Sequence, residues 1–467
     1  ARARMGASSA FSAFDRVSAA ERGWPAKAQS FNPTLRLTAG LLGYSERAGR
    51  QHPTAHETLP NGQLCLSPAM PLLAHRYRYM YTLSQSDLSQ LVCAIDTFQH
   101  CAPAADGRRQ PLVVLKILNA QHWAIGAQEY ERVRLLWREQ SRHGTRAQFV
   151  RALSHCEVDA HFCIVWEMLA PLWSVMPRPP RQLAAEGLQP HLQPSPPYSS
   201  AAVPGFRVRV RGSGGAASPG GEELRSRRMP LALLRQLAHE MLGCLLVLQQ
   251  QGVLHADVKP ENIMVEPTGG GAGGTGAGGT GCARPRFKLI DFSNAMSLGE
   301  QAAYHDAFDV QTLAYRAPEV IYGQPFGHAI DAWSLGVSLA ELFGGKALVQ
   351  AASRGGLAVQ VAELLGRPPR GAFAQSKYAA ELLPLVQHQP EALSRAALRN
   401  KLVAELGAGP SQQEHQFMDL LAALLAYDPA ARLTPLQALS HDFFADAFPV
   451  CALLPAAAAA AAAEAAS

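Results

Sequence analysis

Moving a phosphoryl group between oxygens asks little of a protein. It needs a carboxylate to orient the attacking hydroxyl, cations over the phosphates, and carboxylate or amide oxygens for a divalent metal. Three residues of those types stand together in His255-Ala256-Asp257-Val258-Lys259-Pro260-Glu261-Asn262: Asp257, Lys259 and Asn262. A further carboxylate, Asp291, follows the run Phe287-Lys288-Leu289-Ile290 and precedes Phe292-Ser293. Upstream, Lys116 ends Val113-Val114-Leu115-Lys116, and Glu129 lies in the stretch after it. Singly, each has a plainer explanation. A helical Glu is usually a solvated surface charge, and a lone Asp-Phe or Val-x-x-Lys says little.

Such groups need elements to hold them. The chain has 467 residues, 48% of them hydrophobic, enough for a large core. Leu112 to Leu115 and Phe162 to Trp166 read as strands, and Ile125 to Trp137 has helical spacing. Pro230 to Gln250 reads as a helix opened by proline, and Ile330 to Phe444 is mostly helical in pattern. Gly269 to Gly281 is nearly all Gly, Ala and Thr, a loop that cannot pack. The net charge of +5 is spread along the chain without a long basic run, so direct nucleic-acid binding is not expected. No apolar run reaches transmembrane length, so no membrane is expected. Eight cysteines show neither zinc spacing nor a disulfide framework, which suits reduced thiols in the cytoplasm or nucleus. The chain begins Ala-Arg-Ala-Arg ahead of Met5, so the lack of a targeting segment there carries little weight.

The segment 255–262 is similar to the catalytic loop of protein kinases, H-x-D-x-K-x-x-x-N. Downstream stand Ala317-Pro318-Glu319, Asp331-Ala332-Trp333-Ser334-Leu335-Gly336 and Asp428-Pro429-Ala430-Ala431-Arg432. With Lys116, Glu129 and Asp291-Phe292, these occur once each and in the order kinases use. From roughly Tyr79 to Phe444 the chain resembles the CMGC group, above all the dual-specificity tyrosine-regulated (DYRK) family and the pre-mRNA-splicing kinase Prp-four. Gly126 to Glu131 resembles the splicing kinase, and His161 to Leu169 resembles the strand and hinge of both.

This resemblance implies an α+β, bilobal protein-kinase fold with a small β-rich N-lobe, one main helix there, and a larger mostly helical C-lobe. It implies ATP and Mg2+, and a protein substrate phosphorylated on Ser or Thr, with dual specificity left open. Asp257 would be the base, Lys259 would neutralise the transferring phosphate, and Thr312 would bond both. Asn262 and Asp291 would hold magnesium. Lys116 would reach the phosphates and pair with Glu129. Leu83, Leu91, Val114, Trp166, Glu167, Leu169 and Met264 would surround the base. Glu319 and Arg432 would form a buried ion pair, and Asp331 would hold the catalytic-loop backbone. The expected layout is an extension over 1–75, largely disordered, a kinase domain over 76–449 and an Ala-rich tail over 450–467. The N-lobe would span 76–169 and the C-lobe 170–449, with low-complexity insertions at 177–228 and 267–285.

The sequence also departs from the pattern. The nucleotide loop Leu83-Ser84-Gln85-Ser86-Asp87-Leu88-Ser89-Gln90-Leu91 has Ser at all three glycine positions, which narrows its backbone freedom. Val114 and Trp166 make the nucleotide pocket tight. These features keep a second reading open: a pseudokinase acting as a scaffold or binding module. Ala256 and Leu313 replace two arginines that would face a phosphorylated loop, and Asp309 falls near the family's regulatory tyrosine. An activation segment that does not rely on phosphorylation is therefore expected. Leu313 gives no ground for a proline-directed preference.

Overall fold

The computed structural model describes residues 56–98, 112–142, 148–177, 227–266, 284–301 and 310–445. The expectations for 1–55, for Asp309, for the tail 450–467 and for nearly all of the two insertions lie outside the described residues.

The chain divides into two units. The first takes Ala1–Met168, Val247–His255 and Ile290–Asp309. Its sheet has five antiparallel strands: β1 (Tyr77–Gln85), β2 (Ser89–Asp96), β3 (Leu112–Leu118), β4 (Ala152–Val158) and β5 (His161–Glu167). Their order is β1-β2-β3-β5-β4. Between β3 and β4 runs helix α1 (Trp123–Arg142). Its buried residues Glu129, Val133 and Leu136 recur at helical spacing along one face. Gly126 sets how closely α1 approaches the sheet, because a Cβ there would meet Leu118 at 2.7 Å and Phe162 at 2.9 Å. The hairpin from β4 to β5 turns on Asp159 and Ala160, both at positive φ, the arrangement a two-residue turn requires.

Residues 56–75 differ from the expected loose extension. Leu64 and Leu73 are fully buried and belong to the same core as Tyr77, Val92, Leu115, Ile117 and Val165. The segment is held by polar groups as well. The Gln90 side chain pairs with both the N–H and the C=O of Leu64, each at 3.0 Å. His161 Nε2 meets the Gly62 carbonyl at 2.9 Å, and the His56 N–H donates to Asp159 at 3.0 Å. The sequence hid this because single side chains hold the segment, and they leave no hydrophobic period to read.

The second unit takes Leu169–Leu246, Ala256–Leu289 and Val310–Ser467. Its longer helices are α2 (Leu231–Gln250, whose last turn belongs to the first unit), α3 (Ala329–Gly344), α4 (Arg354–Leu365), α5 (Ala379–Val386), α6 (Arg395–Leu406) and α7 (Gln412–Leu424). A small sheet pairs β6 (Ile263–Glu266) with β7 (Arg286–Leu289) and with Ala170–Pro171. Ser353, Ser394 and Ser411 cap α4, α6 and α7 by accepting from the third backbone N–H onward. In α3 every residue from Ile330 to Gly344 is buried. By length and composition α2 is apolar enough to cross a membrane, which the sequence reading overlooked. About half of that window is buried within the fold, including Leu234, Leu237, Met241 and Leu242, so α2 packs as a core helix.

One buried group of α2 gives the second unit a pH dependence. Burial depresses the His239 imidazole from 6.5 to about 4, and its ring lies edge-on to Phe444. Below about 6.5 an unfolded chain takes up a proton that the folded chain refuses, so this contribution is complete above 6.5 and falls as pH drops toward 4. Melting temperatures of wild type and His239→Gln are expected to diverge in slope between pH 7 and pH 4.5, with the wild type the steeper. Parallel curves would contradict this.

Candidate active site

In the first unit, β3 ends the reach of Lys116 beside two carboxylates. Lys116 Nζ lies 2.8 and 3.0 Å from the two oxygens of Glu129 on α1, and 3.0 Å from Asp291 Oδ1. Lys116 and Glu129 are both buried. Burial alone would lower the lysine, but the Asp291 and Glu129 carboxylates outweigh it and hold the ammonium above its ordinary range. Burial would likewise raise Asp291. Lys116, with the Ser293 hydroxyl, overcomes this and holds the acid well below the usual carboxylate range. Lys116 and Asp291 are therefore charged throughout the neutral range, while burial pushes the Glu129 carboxyl up against the pull of the Lys116 ammonium. The Ser293 Oγ donates to Asp291 Oδ1 at 2.8 Å, a bond that glycine at this position could not make. Phe292 is buried, with its ring edge-on to Phe149 and His255.

In the second unit, Asp257 collects four hydrogen bonds. Oδ1 accepts from Thr312 Oγ at 2.6 Å and from the Thr312 N–H at 3.2 Å. Oδ2 accepts from Lys259 Nζ at 2.8 Å and from Asn262 Nδ2 at 3.2 Å. Lys259 Nζ also reaches Thr312 Oγ at 2.9 Å. The loop carrying these groups is fixed from α3: the Ala256 N–H donates to Asp331 Oδ1 at 2.9 Å. Ala256 sits at φ +63, which costs a non-glycine residue about 1–2 kcal/mol, so the carboxylate holds a strained backbone in place. Asn262 spends its amide nitrogen on Asp257, so its oxygen is the atom that can meet a cation. Asp291 likewise keeps Oδ2 clear of the Lys116 and Ser293 bonds. Both are hard oxygens of the kind magnesium takes beside phosphate oxygens.

The residues expected around the base fall in both units. Leu83, Leu91, Val114, Trp166 and Glu167 are on β1, β2, β3 and β5 of the first. Leu91 pairs with Lys116 and Val114 with Trp166 across the sheet. The Glu167 side chain accepts the Arg151 N–H at 2.7 Å. Leu169 and Met264 lie in the second unit, Met264 on β6.

The serine-rich tip between β1 and β2 is self-bonded. The Ser86 N–H donates to the Ser89 carbonyl, and the Ser89 N–H to the Ser86 hydroxyl. Gln63 donates to the Ser86 carbonyl at 2.6 Å, and Asn119 Nδ2 to that of Asp87 at 2.6 Å.

Several residues escaped the sequence reading. Gln311, at φ +68 and buried, bonds the Ile330 carbonyl, Ser334 Oγ and the Ala317 N–H, while its own carbonyl accepts from Arg316. A lone loop glutamine carries no motif. Gln63, Asn119 and Glu300 escaped for the same reason, and Arg132 because a charged residue on a helix reads as solvated surface. Arg432 pairs with both oxygens of Glu319 at 2.9 and 3.0 Å, and its guanidinium also reaches the carbonyls of Ala329 and Ala426.

Residues 221–444 match the family model of the protein kinase domain. The chain is 32% identical over 232 residues to the dual specificity tyrosine-phosphorylation-regulated kinase mbk-2 of Caenorhabditis elegans, covering 46% of this chain and 26% of that protein. It is 29% identical over 222 residues to dual specificity tyrosine-phosphorylation-regulated kinase 2 of Drosophila melanogaster, covering 46% and 27%. To the serine/threonine-protein kinase ppk5 of Schizosaccharomyces pombe it is 30% identical over 219 residues, covering 46% and 24%. The chain thus spans about a quarter of the length of these curated relatives. With the two units and their charged clusters, the matches lead to one conclusion: residues 221–444 match the protein kinase domain, and the chain is similar there to kinases of the DYRK family.

Proposed function

We propose that the chain is a protein serine/threonine kinase, with dual specificity left open, transferring the γ-phosphoryl group of ATP to protein hydroxyls. The observation that carries this is the Asp257 carboxylate, held by Thr312, Lys259 and Asn262 with both oxygens ordered. In this role Asp257 orients the acceptor hydroxyl and takes its proton. Lys259 offsets charge on the phosphoryl group in flight. Lys116, kept in place by Glu129, neutralises the α and β phosphates. Asn262 in the second unit and Asp291 in the first would each offer magnesium a hard oxygen, and the metal when bound would screen the phosphate oxygens. Every charged group the chemistry calls for is present in the sequence.

One observation favours a second reading, a scaffold on the kinase fold. The Ser86 and Ser89 amides are engaged within their own turn, so neither faces a phosphate as a free donor. A single experiment separates the two. The protein is mixed with radiolabelled MgATP and a generic basic protein, with and without a metal chelator. Label transfer that chelation abolishes, with a melting temperature raised by MgATP, is the expected result. Neither transfer nor a nucleotide-dependent rise would sink the kinase reading and leave the scaffold.

A further inference from the structure

The Lys116–Glu129 pair depends on where α1 lies, and that position is fixed from the segment after Asp291. All the groups involved belong to the first unit. Glu129 accepts the backbone N–H of Phe292. Arg132, one turn on along the same face of α1, donates to the Ala295 carbonyl. Its other terminal nitrogen meets Glu300 Oε2 at 2.8 Å. Gln128, the residue before Glu129, donates to Glu300 Oε1 at 3.4 Å. Glu300 is itself held: Oε2 accepts from the Ser297 N–H at 2.8 Å and from Ser297 Oγ at 3.0 Å. Both partners of the ion pair are largely buried, with 14% and 12% of their side chains exposed. Short, charge-assisted and shielded from solvent, this contact is of the stronger kind.

We propose that Glu300 is a positioning residue: its carboxylate, through Arg132 and Gln128, latches α1 so that Glu129 stays on Lys116 without any phosphorylation of the segment. A carboxylate is a permanent charge that no phosphatase removes. The chain lacks the arginines at 256 and 313 that would otherwise grip a phosphorylated loop, and Glu300 supplies a fixed anion to an arginine on the helix instead. The latch rests on the kinase reading for its purpose but not for its geometry.

The test uses the full chain and the variants Glu300→Ala, Glu300→Gln and Arg132→Ala. The first readout needs no catalysis. It is the rate at which an amine-reactive reagent labels Lys116, located by mass spectrometry, together with hydrogen exchange of the α1 amides. Loss of the latch is expected to raise both roughly 5- to 150-fold, the usual span of coupling between sites. The second readout is transfer: kcat/KM for MgATP should fall by a similar factor in each variant. Phosphatase treatment of the wild type should change neither readout. Unchanged Lys116 labelling and α1 exchange in all three variants would overturn the latch, as would a strong loss of wild-type activity on phosphatase treatment. If the wild type transfers no phosphate while Glu300→Ala still exposes Lys116, the kinase reading fails and the latch stands.

Discussion

Asp257→Asn is expected to abolish detectable transfer, by about a hundredfold to ten-thousandfold, while leaving the fold and nucleotide binding close to wild type. The geometry explains why the effect should be so selective. The carboxylate is surrounded by donors: Thr312 Oγ, the Thr312 N–H, Lys259 and Asn262. Asparagine has the same shape and keeps one acceptor oxygen, which can stay on Lys259. Its amide nitrogen then faces Thr312, whose hydroxyl can rotate to accept, and the one bond given up is the longer one from the Thr312 N–H. What is lost is the charge and the basic oxygen, not the architecture. Asp257→Ala should behave differently. It leaves buried donors without an acceptor, at about 1–3 kcal/mol for each group stranded, and should cost stability as well as activity. Measuring transfer, nucleotide-induced stabilisation and melting temperature on both variants tests this contrast. Substantial transfer by Asp257→Asn would refute the assignment of the base.

The second large effect is on stability. Arg432→Ala should destabilise the second unit by roughly 3–5 kcal/mol, because Glu319 would remain as a buried charge without its partner. For a unit of this size that lowers the melting temperature by on the order of 10 °C. Arg432 does more than neutralise Glu319. Its guanidinium also satisfies the carbonyls of Ala329 and Ala426 and stacks over Trp333. Replacing both partners by apolar residues should therefore recover only part of the loss, since the carbonyls stay unsatisfied. A double-mutant cycle by chemical denaturation checks this: the Glu319→Leu and Arg432→Met costs should fall well short of additive, and the double variant should remain less stable than wild type. Additive costs would show that the two side chains act independently.

The chemistry was more legible in the sequence than its supports. Asp257, Lys259, Asn262, Asp291, Lys116 and Glu129 could be picked out as candidates because phosphoryl transfer would restrict both their types and their order, and the structure bonds Lys116, Glu129 and Asp291 in one unit and Asp257, Lys259 and Asn262 in the other. The main strands and helices followed from apolar periodicity, which a half-buried sheet and amphipathic helices impose. Gln311, Gln63 and Glu300 could not be found this way. Each acts through hydrogen bonds to backbone groups or partners distant in sequence, and a single polar residue in a loop has no period or spacing to betray it. Ser293 could be read in the sequence beside Asp291, yet the donor that its hydroxyl adds to that carboxylate could not. The segment 56–75 was missed because long-range side-chain contacts hold it.

That segment changes where the domain begins. Motifs start near Tyr79, and a protein engineer cutting by motif would start the chain at Arg76. Such a cut removes Leu64 and Leu73 from the core, takes the Leu64 backbone from Gln90 and takes the Gly62 carbonyl from His161. It would also free the Ser86 carbonyl from Gln63. The trimmed product would present a bare apolar sheet face to every other copy in solution, so the smallest fragment that purifies well should start upstream of His56.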